Sequence, residues 1–183
     1  MSLHRAYGLA TGLLLLTTAA DADVVEANAT SMSLRTIVEI HAPVAKVYDA
    51  FVQIGRWWDK EHTYSGDSAN LKLTAAPGGC FCETLPDGGG VLHMTVVNVA
   101  PNRRLTMAGA LGPLQPTGVT GALSLSFVAK PSGIELVMTY NVGGYYPQGL
   151  QTVAGSVDEV LTHQMQRLKS FVETGNPEGK PNP

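Results

Sequence analysis

Residues 80–109 read CFCETLPDGGGVLHMTVVNVAPNRRLTMAG, three strand-like runs separated by two turns, and this stretch decides the fold. Its breaks, Pro86-Asp87-Gly88-Gly89-Gly90 and Ala100-Pro101-Asn102, are turn chemistry, because glycine and asparagine accept positive φ and proline cannot donate to a ladder. The same grammar continues outward. Strand-like runs fall at 71–75, 80–85, 91–99, 103–109, 119–128 and 134–142, with further breaks at Ala76-Pro77-Gly78-Gly79 and Pro131-Ser132-Gly133 and a longer loop over 110–118. Connections this short join antiparallel neighbours, so a six-stranded meander follows. Ahead of it, residues 34–41 alternate as a strand, with Leu34, Thr36, Val38 and Ile40 on one face. Pro43 ends that strand. Val44, Val47, Tyr48 and Phe51 then recur at helical spacing, and a second short helix over 53–59 carries Trp57 and Trp58.

Behind the meander, residues 151–174 form an amphipathic helix whose apolar stripe holds Val153, Val157, Val160, Leu161, Met165, Leu168, Phe171 and Val172. Glu159, His163, Gln166 and Lys169 occupy its opposite face, Ser156 and Glu159 have capping-box spacing, and Gly175 stops it. The fold class is therefore α+β: a curved seven-stranded antiparallel sheet wrapped around a long C-terminal helix, with two short helices after the first strand. One helix is too little to fill the concavity of so wide a sheet, so a cavity between the layers is expected.

The chain has 183 residues, 44% hydrophobic and 15% charged, enough for one well-cored domain, placed at 34–175. Net charge is -3 and the twelve basic residues are scattered, which excludes the electrostatic footprint of a nucleic-acid binder. Residues 1–22 have the layout of a secretory signal peptide: His4 and Arg5, an apolar run over 6–16, then Ala20-Asp21-Ala22. The run is about half of the ~20 residues that span a bilayer. Cleavage after Ala20 or Ala22 leaves a periplasmic or secreted chain with no membrane span. Residues 23–33 read as a disordered lead-in containing the sequon Asn28-Ala29-Thr30, and 176–183 as a disordered tail.

Cys80 and Cys82 are the only cysteines. Residues i and i+2 of an extended strand lie ~6.6 Å apart, a poor spacing for a bridge, so two small core hydrophobes is the favoured reading and redox or metal chemistry the alternative. A hairpin turn centred on Gly88 places Cys80 opposite Val96, Cys82 opposite Met94 and Glu83 opposite His93. The cysteines then share the apolar face with Leu92, Met94 and Val96, while Glu83 and His93 form a solvated pair on the other. A shift of one residue would instead bring His93 to the thiols as a third metal ligand.

The element order, with Ile40-His41-Ala42-Pro43, Val47-Tyr48, Trp57-Trp58, Pro77-Gly78-Gly79-Cys80-Phe81-Cys82-Glu83, His93-Met94-Thr95-Val96, Ala100-Pro101-Asn102-Arg103-Arg104-Leu105 and the segment 161–168, resembles one superfamily. It is the helix-grip group of START lipid-transfer domains, the birch-pollen allergen and polyketide cyclases. The branch most similar is that of the heat-shock-chaperone ATPase activator homologues. The resemblance covers roughly 34–175 and implies the fold more than a substrate, since carriers, cyclases, hydrolases and chaperone cofactors share this scaffold. The export signal is a departure from that branch, whose chaperone is cytosolic.

The expected ligand-binding residues are Trp57, Trp58, Cys80, Cys82, Met94, Val96, Met107, Met138, Tyr140, Tyr145, Val157, Leu161 and Met165, with Tyr146 also near the opening. One tryptophan is expected to face inward and the other to pack outside. The expected partner is a small apolar molecule, a lipid or aromatic metabolite; no metal or other cofactor is expected. A cyclase- or dehydratase-like enzyme is the alternative, with Tyr140 or one of Asp59, Glu61 and His62 as the acid or base. A protein-interaction module is the third reading. No Ser-His-Asp phrase, phosphate-cradling loop or HExxH pattern occurs, and His163 reads as a solvated histidine.

Overall fold

The computed structural model describes residues 21–179; residues 1–20, with most of the expected leader, and 180–183 lie outside the described residues. The chain runs β1 (Asp21–Ala27), β2 (Ser31–Ile40), α1 (Val44–Val52), β3 (Leu71–Leu73), β4 (Cys80–Thr84), β5 (Gly90–Ala100), β6 (Arg104–Ala108), β7 (Gly118–Lys130), β8 (Gly133–Tyr145) and α2 (Ala154–Thr174). All strands pair antiparallel in one curved sheet of order β1-β2-β8-β7-β6-β5-β4-β3, with α2 packed on β1, β2 and α1. The meander follows chain order from β3 to β8. The one long-range closure is β2 against β8, continuous from Ser31–Gly143 to Ile40–Ile134.

The sheet has eight strands where the sequence reading gives seven. The expected lead-in contains β1, whose backbone pairs with β2 from Asp21–Ile37 to Ala27–Met32 and covers an edge that would otherwise be open. The turn is organised by Asn28, whose Oδ1 accepts the N–H groups of Thr30 (2.9 Å) and Ser31 (3.0 Å). Local periodicity carries no sign of this strand because its apolar residues are few and its pairing is tertiary. The described part of the tail is also ordered: Glu178 pairs with Arg167, and the Asn176 side chain accepts the Glu178 N–H. The second short helix over 53–59 is a single 3-10 turn at Ile54–Arg56. At α2 the capping box does not form; the helix starts at Ala154 without a side-chain cap and ends, as read, on Gly175 in the left-handed region (φ 81°).

The β4–β5 hairpin reverses the expected parity. Phe81 pairs with Met94 and Cys82 with Leu92, so His93 is an extra residue in β5 at a β-bulge. The bulge turns both His93 and Met94 inward, together with Phe81 and Glu83, and puts the cysteines on the outer face beside Leu92. There they form a disulfide, overturning the reading as two free core residues. The spacing argument assumed an extended strand, whereas β4 is contracted to a Cα–Cα separation of 5.4 Å across the pair.

The core is one contiguous cluster. A file of rings runs through it: Tyr48–Phe127 (5.4 Å), Phe127–Phe51 (6.0 Å), Phe51–Trp57 (5.8 Å), Trp57–Trp58 (5.6 Å), Trp58–Phe81 (5.5 Å) and Phe81–His93 (4.7 Å). Rings from α1 and the segment after it thus occupy space over the sheet that α2 does not cover. Two mutations test the hairpin parity. Phe81, 2% exposed, should cost about 3–5 kcal/mol of stability as Phe81→Ala. Leu92, 58% exposed, should stay within about 0.5 kcal/mol of the parent as Leu92→Ala, both read from urea denaturation midpoints.

Candidate functional site

Of the residues expected to line a cavity, Trp57, Trp58, Met94, Val96, Met107, Met138, Tyr140, Leu161 and Met165 are buried in the common core, and Val157 is half-buried against it. Both tryptophans face inward, which corrects the expectation that one packs outside. Trp57 Nε1 donates to Ala50 O (3.0 Å), and Trp58 Nε1 to His62 O (3.1 Å), so each ring keeps a partner for its N–H inside the apolar layer. The bridged Cys80 and Cys82 lie on the far face of the sheet. Tyr145 is 71% exposed, while Tyr146 packs against the core. Two solvent-open concavities are lined by none of these residues. One, of about 620 Å³, lies between α1 and the end of α2, where Arg56 stacks over Phe171 at 4.8 Å. The other is a groove of about 320 Å³ along β2 and β8.

The polar chemistry of the interior gathers at the end of the sheet where β5 begins and β6 ends. Glu83 accepts from the backbone N–H groups of Tyr64 (3.1 Å) and Ser65 (2.5 Å) and bonds His93 Nε2 at 3.0 Å. Burial alone would raise its carboxyl, but the bonds from Ser65, Tyr64 and His93 outweigh it and hold Glu83 below the usual carboxylate range. Burial pushes the His93 imidazole down, against the opposing pull of Glu83. The pair is thus an ionised carboxylate beside a neutral imidazole, buried rather than solvated as the sequence reading had it. Gly109 lets β6 approach: at φ 148° a Cβ there would lie 2.9 Å from the His93 carbonyl.

Tyr140 completes this end. Burial, partly offset by the bond from Leu111, pushes its phenol up to about 12. Its oxygen accepts the Leu111 N–H at 3.1 Å, leaving the hydroxyl proton for another acceptor. The loop holding Leu111 is also tied by Tyr64, whose hydroxyl donates to Gly112 O (3.0 Å), and by Gln115, which donates to Leu92 O (2.9 Å). The segments around 64 and 112 therefore meet over the Glu83–His93 pair.

A second polar cluster fastens the segment after the tryptophans to α2. His163 Nε2 meets Asp59 Oδ2 at 2.9 Å, Gln164 accepts the Asp59 N–H (2.9 Å) and contacts His62 Nδ1 (3.2 Å), and Arg167 donates to Trp57 O (3.0 Å). Burial would raise Asp59, yet the Glu61 N–H, His163 and the Arg167 charge leave it below its ordinary value. Asp59 and His163 are brought together from 104 residues apart, with the His62 ring 6.4 Å from that of His163, and His163 is half-exposed but paired. Glu61 is exposed and joins the cluster only through its backbone N–H, which Asp59 Oδ1 accepts at 3.0 Å. Sequence reasoning missed Gln164 and Arg167, both buried. Their signal was available: they fall three residues after Leu161 and Gln164 respectively, bordering the apolar stripe instead of opposing it. Among the described residues no group of three His, Cys, Asp or Glu side chains could hold a metal ion, and the bridge removes the thiolates from the Cys80, Cys82 and His93 alternative. No helix among them is long and apolar enough to cross a membrane.

A curved antiparallel sheet packed with a long C-terminal helix, with α1 inserted after the strand β2, defines a helix-grip α+β protein. Residues 41–173 match the model of the family described as Activator of Hsp90 ATPase homolog 1-like protein, and the chain belongs to that family. Among solved structures it is similar to a protein from Rhizobium leguminosarum (22% identity, TM-score 0.60, covering 85% of this chain and 99% of that one). It is also similar to CalU16 from Micromonospora echinospora (16%, TM-score 0.58, covering 91% and 88%). A third is DynU16, a protein of the dynemicin biosynthetic locus (19%, TM-score 0.55, covering 79% of this chain and 48% of that one). At these identities the likeness is one of fold. The search of curated proteins gave no match.

The buried pair predicts acid lability. Because the His93 value in the folded chain lies below the ordinary 6.5, the unfolded chain takes up the proton first, and stability falls as pH drops below that point. Glu83 contributes stability above its ordinary 4.5 that is lost as pH falls through its lowered value. The urea midpoint should therefore decline as pH falls below 6.5, and His93→Gln should flatten that segment while leaving the loss at pH below 4.5.

Proposed function

We propose that the protein binds a small, largely apolar molecule between the sheet and α2, admitted where the segments around 64 and 112 part. The observation that carries this reading is the lining itself. Met94, Met107, Met138 and Met165 are buried in the interior, while Tyr140 and the Glu83–His93 pair sit at one end of it. Methionine repacks at low cost, so an interior rich in it can make room for a guest while the polar end orients one. Rings and thioethers pack together in one core cluster, and entry requires the bonds from Tyr64 to Gly112 and from Leu111 to Tyr140 to break. The family's helix-grip scaffold and a neighbour of similar fold from a biosynthetic locus support a small-molecule ligand.

The carrier acts outside the cytoplasm on this reading. Support comes from the leader-like residues 1–22 and from the Cys80–Cys82 disulfide, since such bonds persist in oxidising compartments. A second reading, a cyclase- or dehydratase-like enzyme, is favoured by one feature: a neutral phenol with a free proton and an ionised carboxylate at the same end of the interior.

Titration with fatty acids and flat polycyclic aromatics, followed by NMR of methionine methyls, tests the binding reading. Saturable shifts at Met94, Met107, Met138 and Met165 are expected; methyls unmoved by every compound would overturn it. Tyr140→Phe should weaken binding by about tenfold or less, the worth of one hydrogen bond. Unchanged binding with abolished turnover of a bound ketone would instead establish the enzyme.

A further inference from the structure

The Cys80–Cys82 disulfide does not tie two elements together. It closes over a sequence separation of two within β4, a strand already held by β3 on one side and β5 on the other. Restricting so short a stretch removes less freedom from the unfolded chain than a long loop would, so the bond has little to do as a staple. Its position is that of a reagent. Both cysteines are half-buried on the outer face of the sheet, opposite the core, and their cross-strand partners are Lys72 and Leu92 for Cys82 and Thr95 for Cys80. Lys72 is exposed and is the one charged residue among the three. Cross-strand partners share a face, so the Lys72 side chain stands on the same side of the sheet as Cys82, where an ammonium within reach would favour the thiolate form.

We propose that Cys80–Cys82 is a thiol–disulfide exchange site for an external dithiol, with Cys80 as the sulfur attacked and Cys82 as the leaving thiolate stabilised by Lys72. An incoming thiolate forms a bond to Cys80 Sγ while the Cys80–Cys82 bond breaks, and Cys82 takes the electron pair. The second thiol of the reductant, deprotonated, then attacks the mixed disulfide and leaves Cys80 as a thiolate. The dithiol is oxidised by two electrons to its cyclic disulfide, and the protein gains two electrons and, once both thiolates take up protons, two hydrogens.

The test uses the full chain purified from an oxidising compartment, with dithiothreitol as the reductant and iodoacetamide trapping read by intact mass. As isolated, the protein should take up no alkyl group; after dithiothreitol it should take up two while still folded, at a rate indifferent to urea below the unfolding transition. Lys72→Gln should slow reduction about threefold, Lys72→Arg should restore it, and the difference should vanish in unfolding urea. The proposal is overturned by alkylation of both cysteines in the isolated protein, by reduction that appears only in step with unfolding, or by a Lys72→Gln variant as fast as the parent.

Discussion

The structure depends on covering one face of an eight-stranded sheet with a single long helix. α2 lies over β1 and β2, and its stripe of Leu161, Met165, Leu168 and Val172 is spent there and against α1. The remaining concave surface is met by α1 and the turn after it, which deliver Phe51, Trp57 and Trp58 as bulky rings against Phe81 and Phe127 of the sheet. Aromatic side chains bury far more area per residue than aliphatic ones, so a short segment can close a wide gap. This is why residues expected to line a cavity share one core cluster with these rings.

The β-bulge at Phe81 and Cys82 gives the β4–β5 hairpin two unlike faces. Strict alternation would send His93 and Met94 to opposite sides; the extra residue lets both point inward, so the imidazole reaches Glu83 within an otherwise apolar wall. On the other side Cys80 and Cys82, with Cα atoms 5.4 Å apart, form their bridge. The buried acid–imidazole pair and the surface disulfide thus occupy the two faces of one irregular ladder. A buried carboxylate is tolerated here because three donors compensate it, two of them backbone N–H groups of the segment that closes over the pair.

Polar residues of α2 perform the complementary task for the preceding stretch, 57–62, of the same segment. Gln164, Arg167 and His163 take up backbone and side-chain groups of Trp57, Asp59 and His62, fixing the segment that carries both tryptophans. Leaving such groups unpaired inside the fold would cost more than the net worth of each bond, so these side chains specify one placement of the segment over its alternatives. The coverage of the sheet and the position of its rings therefore rest on a few hydrogen bonds made by residues that no apolar pattern singles out.

Turn chemistry and hydrophobic period determined by themselves the α+β class, the meander from β3 to β8, the strand before α1, the extent of α2 and its stop at Gly175, because each is written in local dihedral preference or spacing. The pairing of Glu83 with His93 was also legible, since a hairpin brings near neighbours in sequence together. What only the tertiary structure decided was which face that pair occupies, the bridge between Cys80 and Cys82, the strand β1, the joining of Asp59 to His163 and the file of rings through the core. A bulge inverts the facing of every residue beyond it without leaving a mark in composition, an edge strand is stabilised by its neighbour more than by its own residues, and contacts between segments a hundred positions apart exist only once the chain has closed.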